Sequence, residues 1–512
     1  MTRRNIQLQL LICLALSTEA TYIVMAMFDN SEIRIPVYLA CYGAVFLIYW
    51  VAGLLFFNFR REGAKNTLLA AAGSGSFIRR IGWLSRVVNQ HTSADTLSAR
   101  EVVTVGVVFG VIFRLTLLFS PPTLSDDIYR YVWDGRVAAH GVNPYRFAPE
   151  AHELQSLRDR DIFPNINHRE VSTIYPPVNQ LTFRGIYELN PRIVGFKSAA
   201  LGFDLLTICL LFLILRKLSM PLDRLLIYVW NPLVIVEFSG SGHIDSEGIF
   251  LLTLALWLFV ERKLIVSTVV LALSFLTKYL ALLLLPFYTF FKKENKLFYL
   301  LIFVIVAAVF YIPYANAREG LFSALLVYSS KWRFNDSLFA LIFSTVHRLL
   351  PESWIVKLMI LPYGMQPEPG TIATRGTDLA LTVSKYIVSL AFAALFLFYF
   401  SRSKREFSKV GRIWMFKVGL VLFGTFFLLS PTVHPWYLCW MLPFLVLLPN
   451  RAWILLTGLV GLSYWALIDF SATGVWHENI WIKWLEYLPF YLLLTYDFLS
   501  RRFRSPGGKK SW

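Results

Sequence analysis

The 512-residue sequence is poor in cysteine and shows no internal repeats. Its four cysteines, Cys13, Cys41, Cys209 and Cys439, all fall inside apolar runs, which excludes a disulfide framework and a CxxC metal site. We therefore assign them to packing. The chain also lacks a repeat of roughly 20–50 residues, a low-complexity tail and a second soluble domain. It is accordingly predicted to be a single integral membrane domain over residues 1–512.

Acidic residues are also scarce: the chain has 32 Asp and Glu but 49 Lys and Arg, which gives a formal net charge of +17. The basic residues cluster at the ends of apolar runs instead of along one face, which argues against a nucleic-acid partner. Apolar residues make up 56% of the chain, whereas soluble domains have roughly 45–50%. A lipid bilayer must therefore surround much of the surface, and we predict an all-α polytopic membrane protein.

Long apolar runs define the expected transmembrane helices, each of which needs roughly 17–25 residues. Uninterrupted runs lie at 5–28, 35–57, 102–120, 194–215, 297–314, 379–401, 412–430 and 482–499. Shorter or interrupted runs lie at 224–238, 247–260, 264–277, 279–291, 435–449 and 452–470. Together they predict a bundle of about 14 transmembrane helices. The first run is too long for a cleaved signal peptide, so we expect an uncleaved first helix.

The distribution of positive charge predicts the orientation of these helices. Short loops assigned to the cytoplasm carry 28 Lys and Arg, and short loops on the other side carry four. Both termini, the loop 59–100 and the basic tail 501–512 are thus expected in the cytoplasm. The long loop 121–193 is expected on the extracytoplasmic face. Residues 336–377 fit either a membrane hairpin or an interfacial segment.

An acidic pair follows the third predicted span. Asp126 and Asp127 would lie at the mouth of the bundle, where partial desolvation raises the pKa of a carboxyl group toward the range of a general base. A hydroxyl group that attacks as a nucleophile needs such a base, and proximity to the membrane favours Asp126. Neighbouring residues on a helix face different directions, so the other carboxylate would bind a metal, cap a helix or orient an arginine. The alternative is that the pair only caps an interfacial helix.

Three segments together resemble a known family. They are SDDIYRYVWDGRVAAHGVNPY from residue 125, TIYPPVNQ at 173–180 and GHID at 242–245. In these segments, and over most of its length, the chain resembles bacterial polyprenol-phosphate-mannose-dependent mannosyltransferases of the GT-C glycosyltransferase superfamily. The resemblance implies a GT-C-like helix bundle with a large extracytoplasmic first loop that carries its acidic motif at Asp126 and Asp127.

The same resemblance implies a reaction. The donor would be a polyprenyl-phosphate sugar and the acceptor a glycan or a lipid-linked molecule, with inversion at the anomeric carbon. The acidic motif is shared by enzymes that transfer several sugars, so it implies a class of reaction: transfer of a hexose, with mannose favoured.

Four cationic side chains are candidates for binding the donor phosphate, which needs positive charge to leave. Lys278 lies between two apolar runs, where phosphate would compensate its ammonium group, and snorkelling to the interface is the alternative. His434 lies in a loop on the same predicted side as the acidic pair. Arg130 and Arg136 follow the pair closely and offer bidentate contacts. Pairing of these arginines with Asp134 or Asp127 is the alternative for them.

Aromatic and amide side chains are candidates for binding sugar rings. Tyr145 lies in GVNPYRFAPE, and Tyr175 and Gln180 lie in IYPPVNQ; both segments contain proline turns. Tyr437 lies in SPTVHPWY. These residues are predicted to bind substrate. For the loop tyrosines the alternative is a turn-rich loop that packs on itself.

The GHID segment offers a further candidate site. His243 and Asp245 are expected to orient substrate, as the resemblance implies. Together with Glu247 they stand at alternate positions, and this spacing leaves a divalent cation as a second possibility. No other cofactor is predicted.

Two other classes of function compete with a transferase. A transporter or lipid flippase also has many spans, but such proteins often show matched halves with broken helices, and here the loop 121–193 has no counterpart in the second half. An oligosaccharide ligase or polymerase would be expected to depend on His and Arg more than on an acidic pair. The mass of the product distinguishes a transferase, which adds one sugar, from a ligase or polymerase, which adds a block.

Overall fold

The computed structural model describes residues 2–27, 34–57, 96–288 and 296–503. Most of the predicted cytoplasmic loop 59–100 and of the tail 501–512 lies outside these residues. The described residues form a succession of helices with short connections. The predicted all-α class is therefore confirmed.

Seven helices in the described ranges are long and apolar enough to cross a membrane. They are Arg3–Met27, Arg34–Leu55, Ala99–Leu118, Ile193–Lys217, Leu297–Ala317, Pro369–Ser403 and Arg451–Thr473. Shorter apolar helices are Leu264–Phe275, Tyr279–Tyr288, Leu338–Leu349, Ile413–Leu429 and Pro435–Leu447. The bundle of about 14 spans stays a prediction.

Three helices differ from the apolar runs that predicted them. Arg451–Thr473, expected to be interrupted, reaches spanning length because the 3-10 turn Val460–Tyr464 joins its two α-helical parts. Ile413–Leu429 has 17 residues, the lower end of the spanning range, and is counted among the shorter apolar helices. Ile480–Phe503 is long enough but carries several charges, including Glu486, and is not among the seven.

The chain forms two compact units, residues 1–321 with 435–512 and residues 322–434, which we call the larger and the smaller unit. In the smaller unit the helices Leu338–Leu349 and Ile413–Leu429 both pack against the long helix Pro369–Val410. The region 336–377, which the sequence left open, contains several short helices of this unit.

The larger unit contains the loop 121–193, which folds around its own apolar core. The loop helix Asp127–Ala139 packs against the docking helix Pro177–Leu189. Proline at the first turn suits the docking helix, since its missing N–H has no partner there anyway. The apolar cluster at the core of the loop includes Ile128, Tyr131, Val132, Trp133 and Phe183.

Inside the helix bundle, Asp204 is neutralised by an arginine of the third helix. Arg114 Nε donates to Asp204 Oδ2 at 2.6 Å, and both side chains are fully buried. Arg114 also donates to the backbone carbonyls of Gly110 and Val229. Lys197, the partner that the sequence suggested for Asp204, instead donates to backbone carbonyls. The Arg114–Asp204 pair thus has a structural role.

Two glycines allow the elements around the candidate site to approach. Gly242 has φ +77°, and a Cβ there would lie 2.6 Å from Ile128 Cδ1 in the loop helix. A Cβ on Gly248 would lie 2.5 Å from both the Thr277 hydroxyl and the Trp440 ring. Because glycine tolerates positive φ and close contact, these positions let three distant segments meet.

Candidate active site

Both carboxylates of the acidic pair face one amide of the loop. Asn167 Nδ2 donates to Asp126 Oδ1 at 2.7 Å and lies 3.3 Å from Asp127 Oδ1. The two side chains share this partner because Asp126 precedes the loop helix, whereas Asp127 is its first residue. Asp126 occupies the N-cap position, yet its side chain makes no capping hydrogen bond. The capping alternative is therefore not what the structure shows.

The pKa of Asp127 is raised into the neutral range. Burial of its carboxyl and the neighbouring Asp126 charge raise the pKa of Asp127 to about 7, against the opposing effects of Asn167 and Lys278. Its side chain keeps 22% of its surface exposed, so a substrate can reach it. Desolvation also raises the pKa of Asp126. A carboxyl with a pKa near 7 accepts a proton effectively at neutral pH.

His243 lies directly beside Asp127. Its Nδ1 is 3.8 Å from Asp127 Oδ2 and 3.4 Å from the Tyr131 hydroxyl. Its Nε2 is 3.3 Å from Glu237 Oε2. The ring stacks on Trp436 with a centroid distance of 4.0 Å and an interplanar angle of 20°. Contacts on its edges and face therefore hold the imidazole in one orientation.

Asp245 and Lys278 form the second charged pair of the site. Lys278 Nζ donates to Asp245 Oδ1 at 2.5 Å and lies 3.7 Å from the centroid of the Tyr437 ring. Trp440 Nε1 donates to the same carboxylate oxygen at 2.7 Å. Two hydrogen bonds join the docking helix to the backbone just before Lys278. Asn179 Nδ2 donates to the carbonyl of Thr277 at 2.9 Å, and the backbone N–H of Val178 donates to the carbonyl of Leu276. A cation and two aromatic faces thus lie beside the GHID segment.

The side chains that suggested a divalent cation have different partners. Asp245 accepts from Lys278 and Trp440, Glu247 accepts from Thr182 at 2.6 Å, and His243 lies against Glu237. Among the described residues no group of three His, Cys, Asp or Glu side chains is placed to hold a metal ion. The role of the GHID segment in orienting substrate stays a prediction.

Arg130 and Arg136 make contacts inside the loop. Arg130 Nε donates to Asp134 Oδ1 at 2.9 Å, and both side chains are buried. Arg136 donates to Asp159 Oδ2 at 2.5 Å and to the carbonyl of Leu157. The pairing of Arg130 with Asp134 is the alternative that the sequence left open. Both arginines therefore contact other residues of the loop 121–193, and their binding of phosphate stays a prediction.

The polar candidates of the loop are likewise engaged with one another. The Tyr145 hydroxyl donates to the carbonyl of Tyr175 at 2.6 Å, and Tyr145 is buried. Gln180 is buried and donates to Thr173 Oγ1 at 2.9 Å and to Asp134 Oδ2 at 3.2 Å. The Tyr175 ring packs edge-on against Tyr131, with centroids 5.1 Å apart. These contacts match the alternative of a loop that packs on itself.

His434 is part of the smaller unit. Its ring stacks on Phe334 with centroids 4.9 Å apart, where Phe334 forms an isolated β-bridge with Thr432. Its contact with phosphate stays a prediction.

The structure adds residues that the sequence reasoning missed. Asn167 touches the acidic pair, Glu237 and Trp436 touch His243, and Trp440 touches Asp245. Glu237 carried a usable signal, because a carboxylate in the apolar run 224–238 is expected to be functional. Asn167 carried none, since polar residues are common in loops.

Comparison with known proteins gives a family match for part of the chain. Residues 43–292 match the family model described as "Alpha-(1->6)-mannopyranosyltransferase, N-terminal domain". The chain is 23% identical over 254 residues to "Alpha-(1->6)-mannopyranosyltransferase A" of Corynebacterium glutamicum, covering 46% of this chain and 48% of that relative. The match thus spans about half the length of the curated relative. No solved structure matches the chain significantly. The resemblance read from the motifs is therefore confirmed: over residues 43–292, which contain the acidic pair, the GHID segment and Lys278, this membrane protein matches the N-terminal domain of the alpha-(1->6)-mannopyranosyltransferase family.

Proposed function

We propose that the protein is a mannosyltransferase that uses a polyprenyl-phosphate sugar as donor. The observation that carries the proposal is the meeting of Asp127, His243, Asp245 and Lys278, which come from three distant parts of the chain. Such a cluster provides a base that can accept the proton of the acceptor hydroxyl and a cation that can stabilise the leaving phosphate, next to aromatic rings. The family match supports mannose as the sugar.

The mechanism assigns the base to Asp127. The acceptor hydroxyl attacks the anomeric carbon while Asp127 takes its proton, and the bond from that carbon to the phosphate oxygen breaks with inversion. Proximity to the membrane favoured Asp126. The raised pKa of Asp127 and its place beside His243 favour Asp127 instead. Asp126 then acts through its charge, which helps to raise the pKa of its neighbour.

Lys278 is the proposed contact for the departing phosphate. In the structure its ammonium is held by Asp245 and by the face of Tyr437. A phosphate oxygen would join these contacts, and the positive charge would stabilise the negative charge that develops on the leaving group. Tyr437 and the neighbouring Trp436 offer faces for the sugar ring.

The membrane arrangement proposed with this mechanism follows the positive-inside pattern. The loop 121–193 lies on the extracytoplasmic face of a bacterial inner membrane, both termini lie in the cytoplasm, and the lipid tail of the donor lies between helices. The acceptor is a glycan or lipid-linked molecule that arrives from the aqueous side.

The test is direct. Purified protein in detergent or nanodiscs is incubated with a panel of radiolabelled polyprenyl-phosphate hexoses and a mixture of envelope glycan acceptors. We expect transfer of one hexose per event, greatest with the mannose donor, and mass analysis of the product gives the number added. Transfer of a block would indicate a ligase or polymerase. Absence of transfer from any lipid donor would overturn the proposal.

A further inference from the structure

The turn that carries Asn167 is held against the loop helix by its neighbours. Ile166 belongs to the apolar cluster of the loop, and its side chain is buried. The backbone N–H of Val171 donates to the carbonyl of His168 at 3.0 Å, where the chain turns with φ +46°. Arg130 of the loop helix donates to the carbonyl of Val171 at 3.1 Å. These contacts fix Asn167 relative to the helix that begins at the acidic pair.

The side-chain amide of Asn167 bridges the two carboxylates of the pair. An asparagine NH2 group has two donors, whereas an ionised carboxylate only accepts hydrogen bonds. Asn167 Nδ2 donates to Asp126 Oδ1 at 2.7 Å and to Asp127 Oδ1 at 3.3 Å. Within the described part of the chain, this is the one side-chain hydrogen bond to the carboxylate of Asp127. A single neutral group thus holds together two like charges, which would otherwise repel each other.

Asn167 also acts on the protonation of Asp127. Burial and the charge of Asp126 raise the pKa of Asp127, and the hydrogen bond from Asn167 lowers it. Lys278 also lowers this pKa, and Asp245 raises it. The other titratable groups that face Asp127 are His243, Glu237, Tyr131 and Tyr175. Loss of the amide is therefore expected to raise the pKa of Asp127 further.

We propose that Asn167 is a positioning residue for the transfer reaction, which holds the Asp127 carboxylate by one oxygen and leaves the other to take the proton of the acceptor hydroxyl. This inference rests on the proposed function. Oδ1 of Asp127 accepts from Asn167, whereas Oδ2 lies on the side of the GHID segment, 3.8 Å from Nδ1 of His243. Arg130 contributes indirectly, because its contact with Val171 fixes the turn on which Asn167 lies.

The experiment measures the pH dependence of kcat, and KM for donor and acceptor, in the full-length protein. Asn167→Ala removes both donated hydrogen bonds and adds no titratable group. We expect kcat at pH 7 to fall roughly 10- to 100-fold, because a misplaced catalytic group costs up to about 10²-fold, with both KM values within about threefold of the parent. Asn167→Ser, which can still donate from its hydroxyl group, should recover part of the loss.

The kcat–pH profile distinguishes positioning from a structural role. In Asn167→Ala the acidic limb should move to higher pH, because the pKa of Asp127 rises when the donor is lost. A variant that only weakens the fold would lose activity without moving this limb. The matched control is Asn165→Ala, two residues earlier, whose exposed side chain donates to the carbonyl of Asp161 at 2.8 Å. Its kcat should stay within about twofold of the parent, with the limb in place.

Two outcomes would overturn the inference: kcat of Asn167→Ala within about twofold of the parent at pH 7, or a lower kcat with the acidic limb unmoved. If Asn167→Ala does not fold, Asn167→Asp replaces it. This variant keeps the size of the side chain, removes the donors and adds a negative charge, so an unmoved limb would again be contrary. Failure of the proposed function looks different, because then the parent itself transfers no hexose or Asp127→Asn remains active.

Discussion

Replacing Asp127 by asparagine should abolish transfer while making the protein more stable at alkaline pH. The amide keeps the size of the carboxyl group and a hydrogen-bonding oxygen for Asn167, 3.3 Å away, but cannot accept the proton. Because general-base assistance is worth roughly 10²–10⁴-fold, kcat should fall by at least about 10²-fold. KM should change little, since binding is not removed.

The gain in stability follows from the raised pKa of Asp127. In the folded protein the pKa of this carboxyl is about 7 instead of 3.8, so the folded state binds its proton more tightly than the unfolded state. The parent is therefore most stable below pH 4 with respect to this group and loses that stability as the pH rises toward 7. At about 1.4 kcal/mol per pH unit, the loss between pH 5 and pH 8 is at most about 3 kcal/mol.

The measurement compares parent and Asp127→Asn by thermal unfolding in the same detergent at pH 5 and pH 8. The variant should gain more at pH 8 than at pH 5, because asparagine carries no charge to desolvate. Ser125→Ala, next to the pair and without a carboxyl, serves as the control and should show no such difference. Transfer within threefold of the parent, or an equal change of melting temperature at both pH values, would refute the assignment of Asp127 as the base.

Three further predictions test other parts of the site. Asp126→Asn should retain activity and shift the acidic limb of the kcat–pH profile to lower pH, since loss of the Asp126 charge lowers the pKa of Asp127; abolished activity would instead make Asp126 the base. Lys278→Ala should raise KM for the donor or lower kcat by about tenfold or more and leave acceptor KM within about twofold, and equal effects on both substrates would argue against phosphate binding. Single cysteines in 121–193 should react with an impermeant reagent from outside whole cells and cysteines in 402–412 should not, whereas the reverse pattern would place the acidic pair in the cytoplasm.

The sequence alone was sufficient for the membrane class and for most long helices, and it drew attention to the acidic pair. Hydropathy acts over about 20 neighbouring residues, so apolar runs such as 5–28 predicted Arg3–Met27 within a few residues. The acidic pair stood out because charge is rare so close to an apolar run. Run length failed at Arg451–Thr473, where a 3-10 turn continues a helix across an apparent interruption.

Only the tertiary structure decided which candidates share one site. Trp440 and Asp245 are 195 residues apart in sequence and 2.7 Å apart in space, and no local pattern encodes such a contact. The sequence likewise left open whether Arg130 binds phosphate or pairs with an aspartate, and in the structure it pairs with Asp134. The sequence by itself determined which residues carry carboxylate, cationic and aromatic side chains, because chemistry belongs to the side chain. The fold determined which of them lie together, because burial and distance depend on segments that only packing brings into contact.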